Sequence, residues 1–161
     1  MSKISILAEK ISHKLDLLAR ALLVALMLLI VGNVIFRMFG RPIAATVEWA
    51  EFLSAMSIGL AVAYCGVKGG HLSIEFVVEK FNKKVQAVIG IIMNFIVLIF
   101  VSLSFWRLIV YANDAKLSGQ VSMTSQTPYY FFIYLVAFGF LAYGLVIVGA
   151  LIDDIRKGES R

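Results

Sequence analysis

A chain of 161 residues that is 61% hydrophobic and only 16% charged lacks the polar side chains to coat a water-soluble fold, so its composition specifies a polytopic membrane protein. The formal charge of +5 comes from short basic groups beside apolar runs rather than one polar stripe, which argues for topology signals and against nucleic-acid binding. The single cysteine, Cys65, excludes an intrachain disulfide, a Cys-X-X-Cys redox pair and a cysteine metal cluster.

Residues 2–16 set Ile4, Leu7, Ile11 and Leu15 at near-helical spacing among charged side chains, which predicts an amphipathic lead-in on the membrane surface, the alternative being a frayed tail. The first crossing, 17–37, contains the charge-free run 21–36, and its apolar stretch exceeds the roughly 7 to 15 residues of a cleaved signal. Gly40-Arg41-Pro42 then breaks the helix.

The second crossing, 47–67, is charge-free from Phe52 to Val67. It repeats Ala55, Gly59 and Ala63 every four residues, predicting a face where helix backbones approach closely. Trp49 suits the headgroup layer at one end, while Lys68 and Gly69-Gly70 end the helix at the other. In 71–84, Ile74, Val77, Val78 and Phe81 form an oily stripe among charges; an interfacial helix is expected, or else a polar connector packed on the rest of the chain.

The third crossing, 85–111, carries a charge-free run through Trp106 that covers about 33 Å, so Arg107 reaches the far interface. A polar connection follows from residue 112, and Pro128 is suited to the first turn of the fourth crossing, 128–152, with a basic tail at 153–161. The expected fold is all-α, with four transmembrane helices and amphipathic surface helices. Placing both termini on the cytoplasmic side leaves only Arg37, Arg41, Arg107 and Lys116 of the 15 Lys and Arg residues outside, with Trp49, Tyr111, Tyr129 and Tyr130 as an outer aromatic belt.

Chemistry is sparse. A transporter working alone needs a mid-membrane ionisable group, a broken helix pair or internal repeats, and none stands out here. Asn33 and Asn94 are suited to one interhelical hydrogen bond each, and Gly139, Gly144 and Gly149 to packing. His13 and His71 fall in surface segments and do not form a haem pair, so no cofactor is expected and no metal site. Glu51, one turn into the second crossing, seeks a partner among Arg37, Arg41 and Arg107, or else water, a cation or a proton. Glu48 suits the positive end of the helix dipole.

In this order the motifs resemble one family. A first crossing ends in an Arg-containing turn; Trp49-Ala50-Glu51 opens the second; Gly69-Gly70-His71-Leu72-Ser73-Ile74-Glu75 follows it; and Pro128 precedes the fourth. Together they resemble the DctQ-like small membrane subunit of tripartite ATP-independent periplasmic (TRAP) transporters, over nearly the whole chain. Where that family often has two adjacent acids after the Trp, Phe52 takes the second place here.

The resemblance implies a bacterial inner-membrane complex rather than an enzyme. A periplasmic substrate-binding protein would capture a solute, typically an organic acid, and deliver it to a large sodium-coupled permease subunit. The small subunit would be a fixed scaffold in the lipid bilayer, in contact with the large one. The rival reading is a self-sufficient four-helix transporter working as a homodimer, with Glu51 as its coupling acid.

Overall fold

The computed structural model describes residues 3–67 and 83–159 and places them in four helices: α1, Lys3–Met38; α2, Thr46–Val67; α3, Lys83–Leu117; and α4, Tyr130–Glu159. Among the described residues there is no strand, only an isolated bridge between Val121 and Pro128. Each helix contains a segment long and apolar enough to cross a bilayer, so the all-α polytopic fold predicted from the charge-free runs is the one adopted. Of the predicted 71–84 interfacial helix, residues 71–82 lie outside the described residues, and Lys83 and Lys84 are the first residues of α3.

The helices stand in the order α1, α2, α4, α3, with a lighter contact between α1 and α4. The two central helices bury 33% and 28% of their most apolar windows, against 6% in each flanking helix, so α2 and α4 form the core and α1 and α3 its edges. Paired residues give the directions. Ala19 and Ser57 meet, as do His13 and Tyr64, which sets α1 antiparallel to α2. Trp49 meets Phe132 and Gly59 meets Gly139, which sets α2 parallel to α4, and Asn113 meets Tyr134, which sets α3 antiparallel to α4. The start of α1 and the end of α4 thus share one end of the bundle, and the two described connections share the other.

Helix ends differ from the sequence boundaries for physical reasons. From Lys3 on, the 2–16 lead-in is continuous with the crossing that follows it. The face that packs is not the predicted apolar stripe but the one beside it: Ala8, Ser12, Asp16 and Ala19 are buried, the Ser57 hydroxyl donates to the Ala19 carbonyl at 3.1 Å, and the His13 ring lies 5.7 Å from that of Tyr64. At the other end of α1, Arg41 N–H donates to the Phe36 carbonyl and Gly40 N–H to that of Arg37, with Gly40 at φ 72°. This is a Schellman cap, in which glycine adopts the left-handed conformation without a Cβ penalty. Pro42 then prevents continuation.

The same cap ends α3. Gln120 N–H donates to the Ala115 carbonyl and Gly119 N–H to that of Lys116, with Gly119 at φ 63°. The polar connection expected from residue 112 therefore begins only at Ser118, because Ala112 and Ala115 remain fully buried in the α3–α4 contact. Likewise α4 passes Asp153-Asp154 and continues to Glu159. Pro128 is not in its first turn: the Tyr129 carbonyl accepts from Phe132 and Ile133, so Tyr129 caps the helix and Pro128 precedes the cap, facing Val121.

The seam between α2 and α4 is built on glycine. A Cβ on Gly139 would collide with the Gly59 carbonyl, and one on Gly59 would come within 2.9 Å of a Val136 methyl. Gly66 leaves space for the Tyr143 ring. Leu60 and Ala63 beside it on α2 have no exposure.

Candidate functional site

The richest constellation lies at the connection end of the core. There Ala45, at φ 59°, turns the chain into α2 and its carbonyl accepts the Trp49 N–H. The Thr46 hydroxyl donates to the Ile43 carbonyl at 2.7 Å, and Asn33 Oδ1 accepts the Ile43 N–H at 2.9 Å. Asn33 therefore anchors the α1–α2 connection instead of bonding across helices.

One turn into α2, Phe52 stacks on Phe132 of α4 with ring centres 4.2 Å apart and planes 7° from parallel. Trp49 meets both rings edge to face at 6.1 and 6.2 Å, and Tyr129 approaches Phe52 at 5.8 Å. These offsets suit the ring quadrupoles, so the cluster fixes the spacing of α2 and α4 where the glycine seam ends.

Beside it, Glu48 holds the 118–129 connection. Its Oε1 accepts the Thr124 N–H at 2.8 Å and its Oε2 the Ser125 N–H at 2.9 Å. The buried Ser122 hydroxyl faces the same carboxylate without a well-formed hydrogen bond. The connection folds on itself through Ser122 N–H to the Thr127 carbonyl and Gln126 N–H to the Ser122 carbonyl, with Gln126 at φ 55°. Two main-chain donors aimed at one carboxylate form a charge-assisted clamp. Glu48→Ala is expected to leave the helices intact while raising hydrogen exchange at Thr124 and Ser125 tenfold or more; unchanged protection there would show that the clamp does not order the loop.

The other candidate residues are dispersed. Glu51 is exposed and makes no ion pair with Arg37, Arg41 or Arg107; the one ion pair among the described residues joins Asp16 to Arg20 at 2.6 Å. The physical reason is layout: Arg107 sits on α3, across α4 from α2, and Arg37 stands at the far tip of α1. Gly59 and Ala63 are buried, whereas Ala55 is exposed. Gly69, His71 and Glu75 lie outside the described residues.

The family described as "Tripartite ATP-independent periplasmic transporters, DctQ component" matches residues 4–157. The chain belongs to the DctQ family. It is thus a small membrane component of a TRAP-type transporter, consistent with four spanning helices. Comparison with curated proteins and with solved structures finds no match. Within this DctQ protein the Trp49-Ala50-Glu51 motif opens α2, but the acid that makes specific contacts is Glu48, just before the motif. No local pattern marks it, because its partners are main-chain amides 76 and 77 residues further along.

Proposed function

We propose that this DctQ protein is the fixed, non-catalytic scaffold of its transporter, in the bacterial inner membrane with both termini cytoplasmic. It holds a large sodium-coupled permease subunit that takes up an organic acid delivered by a periplasmic binding protein. The observation that carries this reading is the closed α2–α4 seam. Backbone meets backbone at Gly59 and Gly139, Val136 and Tyr143 pack on Gly59 and Gly66, and Leu60 and Ala63 are fully buried, which suits a rigid support better than a solute path. The motif at Gly69, His71 and Glu75, and the 71–84 segment that it leads into, are assigned to bracing the subunit at the membrane surface.

A second reading, the self-sufficient homodimer, is favoured by one observation: Glu51 is exposed and has no cationic partner among the described residues. Uptake assays separate the two. The scaffold reading predicts that Glu51→Gln in the assembled transporter keeps uptake within about twofold and that this chain alone in liposomes moves no solute. Transport by the chain alone, abolished by Glu51→Gln, would replace the scaffold by the homodimer.

A further inference from the structure

The contacts between helices fix which residues stand level with one another along the bundle. Ala19 of α1 meets Ser57, near the middle of α2. Gly139 of α4 lies against Gly59, within one turn of that level. On α3, Val101 stands beside Gly144 and Asn113 beside Tyr134, so counting along this antiparallel pair puts Arg107 level with Gly139.

From this level the charge-free run of α1, 21–36, extends wholly toward the connection end, whereas that of α3, 85–106, extends wholly toward the terminal end. At ~1.5 Å per residue the midpoints of the two runs lie about 30 Å apart along the axis. Those of α2 and α4 fall between them. The apolar band therefore runs diagonally across the row of helices.

A bilayer perpendicular to the bundle axis cannot cover such a band. It would set Asp114 and Lys116 of α3 at the depth of the α1 run, or Lys10 and Lys14 of α1 at the depth of the α3 run. All four are exposed, and charges facing lipid at that depth are rare. The Asp16–Arg20 pair, level with the middle of α2, would meet the same fate.

We propose that the bilayer crosses this bundle obliquely, with lipid covering α1 near Leu28 and α3 near Phe100. With neighbouring axes ~8–10 Å apart, the offset corresponds to an inclination on the order of 45°, against an average near 20° for membrane helices. Leu28 and Phe100 are 64% and 67% exposed; Leu28 lies at the centre of its run and Phe100 within its second half. Inclination returns Lys116 to water at one corner and sets Arg107 at the edge of the hydrocarbon layer. At the opposite corner it sets Lys10 and Lys14 in the headgroup layer, where anionic phospholipids pair with lysine. Inclined runs of this length span less depth, so the bilayer thins around the subunit.

Spin labels test this in the assembled transporter reconstituted in vesicles. Single cysteines replace Leu28, Phe100, Lys14 or Lys116, each in a Cys65→Ser background. Leu28 and Lys116 stand at nearly the same axial level, and the oblique bilayer sets them on the order of 15 Å apart in depth. Labels at Leu28 and Phe100 are expected to be accessible to oxygen and shielded from a water-soluble nickel chelate, with the reverse at Lys14 and Lys116. Equal depths for Leu28 and Lys116 would overturn the proposal. So would shielding of Leu28 and Phe100 from both reagents, since protein rather than lipid would then cover the band.

Discussion

Replacing Gly139 with leucine should prevent α2 and α4 from closing, and the large partner subunit should then be lost from purified complexes. The first added carbon already collides with the Gly59 carbonyl and crowds the Leu60 nitrogen at 3.2 Å, and backbone cannot rotate away as a side chain can. Overpacking in well-packed cores costs ~1–3 kcal/mol, and this case belongs at or above the upper end because the obstacle is main chain. Gly144 is the control. A methyl there would meet only a Val101 methyl at 3.7 Å, an ordinary contact, so Gly144→Ala should shift stability by no more than about 1 kcal/mol. Detergent-titrated unfolding of both variants reads the difference; equal midpoints would mean that the seam is not a close backbone contact.

Much of this architecture is written in the charge pattern. Four apolar stretches built round the charge-free runs are long enough to span, and all four lie in helices. The helix ends were harder to place, because a helix stops where its backbone is capped and not where polarity begins. Ala112 and Ala115 carry α3 through a polar stretch to the Gly119 cap, and the N-terminal residues from Ala8 to Ala19 extend α1 by packing on α2. The small-residue repeat was legible only in part. At 3.6 residues per turn a four-residue repeat drifts by about 40° each step, so the buried face takes Phe52, Met56, Gly59, Leu60 and Ala63 and leaves Ala55 outside. The Glu48 clamp was not legible, since a carboxylate that binds distant main-chain amides leaves no spacing to read.

Phe52→Ala should loosen the connection end of the same seam. The ring is buried to 9% exposure, stacks on Phe132 and touches Trp49 and Tyr129, so its removal opens a cavity with aromatic walls. In a water-soluble core such a change costs ~3–5 kcal/mol, but lipid solvates apolar groups as well as protein does, which lowers the expectation to about 2 kcal/mol. Phe52→Leu, which keeps most of the volume, should recover more than half of the loss. The unfolding midpoint and the near-ultraviolet dichroism of Trp49 should fall together in Phe52→Ala; a change in the spectrum without a change in the midpoint would assign the cluster to local order alone.

A scaffold that works only in company should keep its companion when the tagged chain is purified from native membranes in mild detergent and whatever co-elutes is weighed by mass spectrometry. A stoichiometric, much larger polytopic subunit is expected, lost in Gly139→Leu and retained in Gly144→Ala. A stable homodimer with no companion, under conditions that keep other membrane complexes together, would contradict it and turn attention to Glu51 as a coupling acid.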